Sequence, residues 1–160
     1  VLNTDAEGRL ILADALAYAE KKIKPDAMID LATLTGAVVV ALGHELTGAM
    51  GNDESLVEAL VAAGKATGEA VWPLPLTKFH RKDMKGQVGD LRNMSSPGTG
   101  AGSSTGGAFL SYFVGEIPWV HLDIAGSAWG ATQRDYQGGP WGTGVGVRLL
   151  LDYLAEQATK

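Results

Sequence analysis

The chain has 160 residues and 46% hydrophobic content, enough to bury a core of one domain or a large part of one. No apolar run approaches the roughly 18 residues of a membrane helix, and no signal peptide pattern opens the chain, so we expect no membrane contact. A net charge of −5 without basic clusters argues against nucleic-acid binding. The absence of cysteine excludes disulfides and thiolate-bound zinc and fits a cytoplasmic protein.

The first third of the sequence predicts a helix followed by a strand. Apolar residues recur at helical spacing and Pro25-Asp26 ends the pattern. The stripe consists of Leu12, Leu16, Ala19 and Ile23. The apolar run 27–34 predicts a buried strand, whereas the segment 38–42 is compatible with either a helix or a strand.

The middle of the sequence predicts one amphipathic helix and one interrupted segment. The helix spans residues 53–68, with Asn52 or Asp53 as its N-cap. Its inward-facing residues are Leu56, Leu60 and Ala63. The segment 72–75 contains two prolines, which donate no backbone hydrogen bond, so it is expected to be an edge strand or a loop.

The last third begins with a glycine- and serine-rich loop, residues 93–107, which we place near a substrate because long loops in compact domains are usually functional or mobile. A helix over about 105–114, a buried strand over 119–124 and a final helix over 143–156 are predicted after it. The loop before the final helix holds Trp129, Tyr136 and Trp141. The alternation of helices and strands is typical of an α/β structure without an internal domain boundary.

The octapeptide NTDAEGRL, residues 3–10, carries the most informative chemistry of the chain. In an extended segment, Asp5, Glu7 and Arg9 would point to one face, because alternate side chains share a face. Two carboxylates suit a divalent cation, and an adjacent guanidinium suits an oxyanion, so the pattern indicates metal-assisted hydrolysis. The alternative is structural, because Thr4 and Glu7 also have the spacing of a helix capping box.

The octapeptide resembles, residue for residue, the signature of the leucyl aminopeptidase family, the di-metal cytosolic aminopeptidases. The resemblance continues over nearly the whole chain. It includes the stretches DLATLTGA (30–37), WPLPL (72–76), GDLRN (89–93), WVHLDIAG (119–126) and TGVGVRLL (143–150).

The resemblance implies a three-layer α/β domain with a mixed central sheet flanked by helices. It also implies two divalent ions, zinc or manganese, with Asp5 binding one ion and Glu7 bridging both. By the same resemblance Arg9 is the catalytic residue that holds a bicarbonate or the tetrahedral intermediate. Thr33, Leu34 and Gly36 fall on the family's substrate-binding stretch. The implied substrates are peptides, and the implied assembly is a homo-hexamer.

Other metal ligands of the family, a lysine and two aspartates, lie upstream of this region, together with a second catalytic lysine. The chain therefore resembles the C-terminal part of the catalytic domain, and we expect it to be inactive alone, because each metal needs several protein ligands. The alternative, from a different functional class, is a non-catalytic structural fragment that serves as an assembly core. The segment 82–86 superficially resembles the upstream ligand region but is expected to be a charged helix or turn.

Three further patterns have ordinary explanations. The segment 102–106 matches Gly-x-Ser-x-Gly, so Ser104 with His121 and Asp123 suggests a serine hydrolase, but no apolar strand precedes it as a nucleophile elbow requires. The three histidines lack metal-ligand spacing and are expected to pack or to lie on the surface. Tryptophans are expected mainly in packing contacts.

Overall fold

The computed structural model describes residues 1–130 and 140–159 and contains a four-stranded mixed sheet. The strands are β1 (Met28–Ala32), β2 (Thr47–Gly51), β3 (Val71–Pro73) and β4 (Trp119–Asp123), in the order β1-β4-β2-β3. β1 is parallel to β4, β2 is parallel to β3, and β2 is antiparallel to β4. The sheet confirms the predicted α/β class with a mixed sheet.

Six α-helices surround the sheet in the described part of the chain. They are α1 (Gly8–Tyr18), α2 (Gly36–Leu42), α3 (Glu54–Thr67), α4 (Lys78–Asp83), α5 (Gly102–Leu110) and α6 (Val147–Gln157). α1 and α5 contribute to one apolar core, and α3 and α6 contribute to another. Since consecutive strand residues face opposite sides, Trp119 belongs to the first core while Val120 and Leu122 belong to the second. The domain therefore has three layers.

Several predicted elements are confirmed with small shifts in their bounds. α3 is capped by Asp53, whose carboxylate accepts from the Leu56 N–H at 2.8 Å, and it ends at Gly68 with φ +73°. The three residues predicted to face inward are buried. β3 is an edge strand, as expected for a strand that ends in a proline, and the segment 38–42 is resolved as part of the helix α2.

The first helix differs from the prediction at its end. After Tyr18 the chain forms a π-helical turn, Ala19–Ile23, whose wider winding breaks the 3.6-residue period. Ile23 is therefore 64% exposed, although the periodic stripe placed it inward, while Leu16 is buried. Lys24 then adopts a left-handed conformation that ends the helix before Pro25.

Two other helix starts were predicted imprecisely. α5 begins at Gly102, three residues before the predicted start, so the glycine- and serine-rich loop ends at Ala101. α6 begins at Val147, four residues after the predicted start. Trp129 and Trp141 are exposed, while Tyr136 lies outside the described residues. No helix in the described residues is long and apolar enough to cross a membrane.

Candidate active site

The predicted site residues meet at the end of the sheet where β1 leads into α2. A cavity of about 280 Å³ is lined by Asp5, Glu7 and Arg9 together with Thr33 and Leu34, among other residues. Gly36 is not part of that lining, because it already forms the first turn of α2. The structure therefore brings together five of the six predicted site residues.

The extended geometry predicted for the octapeptide is wrong. Thr4–Ala6 form a short 3-10 helix, and Glu7 has helical backbone angles directly before α1. Asn3 provides the cap, since its side chain accepts from the Asp5 N–H at 2.9 Å. The residues share a cavity because a tight turn, rather than an extended strand, places them there.

The capping-box alternative is also wrong. Glu7 makes no side-chain capping hydrogen bond at the start of α1. Asp5 and Glu7 are exposed, and their carboxylates have no hydrogen-bond or ion-pair partner among the described residues. Both carboxylates therefore remain available to a ligand.

Arg9 lies in a partly buried position with an incomplete set of partners. Its Nη1 donates to the Asn93 carbonyl at 2.9 Å, whereas its Nε is buried and has no partner in the described part of the chain. Burial lowers the pKa of Arg9, and the charge of Asp123 opposes that shift. Gly106 of α5 lies beside this residue and allows α5 to pack closely on the β1–α2 connection, since a Cβ there would lie 3.1 Å from Thr35 Cγ2 and 3.2 Å from Leu34 Cδ2.

Asp123 lies at the end of β4 and organises the residues that follow β1. Its Oδ2 accepts from the Thr35 hydroxyl at 2.6 Å, and its Oδ1 accepts from the backbone N–H groups of Leu34 and Thr35 at 3.2 and 3.4 Å. Thr35 is also 3.0 Å from Ser103 of α5. This fully buried carboxylate fixes the segment that carries Thr33 and Leu34.

Asn93 does not line the cavity but contacts the turn that carries the carboxylates. It is 2% exposed, and its side chain bonds backbone groups of Leu2, Asn3 and Ala6. Sequence reasoning did not place Asn93 beside this site, and it considered Asp123 only as a partner of a serine nucleophile. The available signal was their position inside two of the stretches that carry the family resemblance.

The other candidate motifs have structural roles. Asp83, in the segment 82–86, pairs with Arg92 at 2.7 Å. Burial raises its pKa, but hydrogen bonds from Ser96 and the charge of Arg92 outweigh that effect and leave the pKa below its ordinary value. Asp83 is therefore engaged with the loop that follows α4.

The serine hydrolase arrangement is not assembled. Ser104 is buried in α5, and the Nδ1 atom of His121 bonds Asp30 at 2.6 Å instead of a serine. Asp30 also accepts from Trp119 Nε1 at 2.7 Å. His80 caps α4 with Thr77, and His44 bonds the Gly126 carbonyl. His80 and His121 are buried and His44 is exposed, so the histidines pack or lie on the surface as predicted.

Within residues 1–130 and 140–159, no group of three or more histidine, cysteine, aspartate or glutamate residues is arranged to hold a metal. Asp5 and Glu7 supply two carboxylates, fewer protein ligands than a pair of ions requires. Among the described residues, the carboxylates of this cavity are therefore fewer than two ions would need.

Comparison with known proteins identifies the family of the chain. The family model described as "Cytosol aminopeptidase family, catalytic domain" matches residues 1–151. The chain is 56% identical over 155 residues to a probable cytosol aminopeptidase of Geobacter sulfurreducens, covering 96% of this chain and 30% of that protein. It is 53% identical over 158 residues to one from Roseiflexus castenholzii, covering 98% and 31%.

A third relative, from Desulfotalea psychrophila, is 51% identical over 155 residues, which cover 96% of this chain and 30% of that probable cytosol aminopeptidase. The chain thus spans about 30% of the length of the curated relatives that it matches. By its sequence and its fold, the chain belongs to the cytosol aminopeptidase family.

Proposed function

We propose that the cavity between the 3-10 turn and the β1–α2 connection is part of the active site of a metal-dependent aminopeptidase. The reaction would release N-terminal amino acids from peptides. One observation carries the proposal: Asp5 and Glu7, with no partner among the described residues, share a cavity with Arg9, whose buried Nε has no partner either. Unpartnered buried polar groups are costly and call for an explanation, and a ligand supplies one.

Two divalent ions, zinc or manganese, fit this carboxylate pair in part. Asp5 would hold one ion and Glu7 would bridge both, and when bound the ions would activate a water molecule for attack on the peptide carbonyl. The remaining ligands would come from the upstream segment that the family resemblance implies. Bicarbonate would fit beside Arg9, because a guanidinium binds an oxyanion through charge-assisted hydrogen bonds.

Arg9 would stabilise the negative charge that develops on the attacked carbonyl group. Its Nε–H is a free donor in a water-poor position, where an electrostatic interaction is stronger than in bulk water. The Asn93 carbonyl fixes the guanidinium from one side, so the donor is oriented before the substrate binds. Thr33 and Leu34 would contact the substrate from the opposite wall, and Gly36 would act through the start of α2.

The second candidate function is a non-catalytic assembly core. It is favoured by the incomplete carboxylate set and by an apolar stripe on α6, where Val147, Leu151 and Leu154 are each more than half exposed. Such a stripe at helical spacing suits a contact between subunits. A homo-hexamer with this contact is compatible with the catalytic proposal, so the two candidates differ only in whether the site hydrolyses peptides.

The experiment compares two forms of the protein. The first is the 160-residue chain, and the second, called the extended chain, carries in addition the N-terminal segment of the Geobacter sulfurreducens relative. We expect the extended chain with added manganese or zinc to hydrolyse leucine p-nitroanilide and the 160-residue chain to have no activity. Absence of turnover in a folded, metal-loaded extended chain would favour the assembly core, while turnover by the 160-residue chain would show that its site is complete.

A further inference from the structure

The turn that carries Asp5 and Glu7 has few contacts of its own. Thr4–Ala6 contain no buried residue, and the single side-chain cap comes from Asn3 within the same turn. A short 3-10 helix is intrinsically weak. Something outside the turn must therefore hold it in place if two carboxylates are to face a common ligand.

Asn93 meets that need through both ends of its side-chain amide. Its Oδ1 accepts from the N–H groups of Leu2 and Asn3 at 2.8 and 3.4 Å. Its Nδ2 donates to the carbonyls of Asn3 and Ala6 at 2.6 and 3.4 Å. One buried amide thus bonds backbone groups before and at the end of the 3-10 turn, from about 90 residues away in sequence.

The backbone of the same residue holds Arg9. The Asn93 carbonyl accepts from Arg9 Nη1 at 2.9 Å and leaves Nε without a partner among the described residues. One residue therefore sets the position of the carboxylate turn and the orientation of the guanidinium relative to each other. Neither Asp5 nor Glu7 makes a direct contact that could do this.

Asn93 is itself held firmly by its neighbours. The Arg92 N–H donates to the carbonyl of Met84, a fully buried residue, at 2.9 Å. The Arg92 side chain donates to the Asp83 backbone carbonyl and carboxylate at 2.8 and 2.7 Å. Arg92 thus connects Asn93 to the end of α4, and the side-chain amide of Asn93 bonds the exposed turn.

We propose that Asn93 is a positioning residue that fixes the separation between the Asp5 and Glu7 carboxylates and the Arg9 guanidinium. We call the hydrogen bonds of Asn93 to the turn and to Arg9 the clamp. The catalytic consequence of the clamp rests on the proposed function, but the clamp itself does not. Asn93 does not touch the substrate in this account. It acts through the turn and through Arg9.

The test uses a matched pair of substitutions. Asn93→Asp keeps the size of the side chain and an acceptor for Leu2 and Asn3, but it turns an oxygen toward the carbonyls that Nδ2 contacts. Asn52→Asp is the control, because the Asn52 amide also bridges backbone groups, the Trp119 N–H at 2.7 Å and the Ile117 carbonyl at 2.9 Å. Asn52 follows β2 at the end of the sheet opposite to the cavity. Asp123, at the cavity end of β4, pairs with Gly48 near the start of β2 and not with Gly51 at its end.

Amide hydrogen exchange in the 160-residue chain tests the clamp without reference to activity. We expect exchange of residues 2–9 to accelerate about tenfold or more in Asn93→Asp, as loss of a buried hydrogen bond implies, and to be unchanged in Asn52→Asp. Asn93→Ser, which introduces no charge, replaces Asn93→Asp if the latter does not fold. Unchanged exchange of this segment in a folded Asn93 variant would overturn the clamp.

Kinetics of the extended chain then test the catalytic consequence. Misplacement of reacting groups by about 1 Å costs roughly 10²-fold, so we expect kcat of Asn93→Asp to fall by about that factor while KM changes less than about threefold. Asn52→Asp should keep kcat. Equal kcat values in the two variants would refute the positioning role, whereas an inactive unsubstituted extended chain would refute the proposed function and leave the exchange result standing.

Discussion

The two faces of the central sheet bury different kinds of side chain. β4 places Val120 and Leu122 against α3 and α6, in an apolar core. The alternate residues Trp119, His121 and Asp123 face the side of α1 and α5. One strand thus contributes only apolar side chains to one side, and an apolar side chain together with two polar ones to the other.

The α3/α6 side also contains a buried carboxylate, but its hydrogen bonding is satisfied within the fold. Glu69 is 1% exposed, and its Oε2 accepts from the N–H groups of Gly146 and Leu149 at 3.1 and 2.9 Å. These donors lie at the start of α6, where a negative charge also favours the helix dipole. The contact stabilises the packing of α6, and no Glu69 atom in the described structure is both buried and without a partner.

The α1/α5 side is different because its network is incomplete. Asp123 is fully bonded to the β1–α2 connection, yet Arg9 Nε and His121 Nε2 are buried without a partner among the described residues. Arg9 lines the cavity that also holds Asp5 and Glu7. The comparison indicates that buried charge alone does not mark a functional site, whereas buried charge with unused hydrogen-bonding capacity beside a cavity does.

The largest difference between the two sides is expected at Arg9. Arg9→Ala in the extended chain should lower kcat by about 10²-fold or more, as removal of an oxyanion donor does, and Arg9→Lys should recover only part of the loss because it lacks the planar fork. Arg81→Ala is the control, since Arg81 packs over Tyr112 away from the cavity. Near-normal turnover in Arg9→Ala, with only a small change in melting temperature, would make Arg9 a structural residue.

The buried carboxylates Glu69 and Asp123 provide a sharper comparison of the two sides of the sheet. Glu69→Gln and Asp123→Asn should each lower the free energy of unfolding by about 1–3 kcal/mol, because each removes a charged acceptor of buried hydrogen bonds. Only Asp123→Asn should also lower kcat of the extended chain, by about tenfold or more, since it loosens the segment that carries Thr33 and Leu34. Chemical denaturation and steady-state kinetics measure both effects, and an equal loss of kcat in Glu69→Gln would contradict the assignment of that face as structural.

The smallest effects are expected from two buried helical glycines. A Cβ at Gly64 in α3 would lie 2.6 Å from the Glu69 carbonyl, so Gly64→Ala should cost about 1–3 kcal/mol of stability without changing kcat. A Cβ at Gly106 in α5 would lie 3.1 Å from Thr35 Cγ2 and 3.6 Å from Arg9 Nη2. Gly106→Ala should therefore lower kcat about threefold to tenfold while its net cost in stability stays below about 1 kcal/mol, because alanine favours the helix. A loss of kcat in Gly64→Ala together with an unchanged kcat in Gly106→Ala would be inconsistent with a site on the α5 side.

Local sequence patterns predicted the elements whose packing follows a simple period. α3 has helical spacing, a good cap and a terminal glycine, and β4 is a short segment in which Trp119, Val120 and Leu122 are apolar, so both were found near their true bounds. The π-helical turn after Tyr18 was missed, because it changes the winding without a proline or glycine to mark it. As a result, the predicted inward position of Ile23 was wrong.

The candidate site was predicted only in part, because a local pattern can reveal residues that are neighbours in sequence but not those that meet through the fold. Asp5, Glu7 and Arg9 are neighbours in sequence, so a local motif could suggest them, although the backbone that joins them is a 3-10 turn and not a strand. Asn93 and Asp123 reach the cavity through contacts about 90 residues distant in sequence, which no local pattern encodes. Their roles required the fold.

The most direct test of the central claim is the metal content of the extended chain carrying Glu7→Gln. Glu54→Gln is the matched control, because Glu54 is an exposed acid in the first turn of α3 and lines no part of the site cavity. If Glu7 bridges two ions, Glu7→Gln should lose bound zinc or manganese and hydrolysis of leucine p-nitroanilide, while Glu54→Gln keeps both. Retention of full metal stoichiometry and turnover in Glu7→Gln would contradict the account.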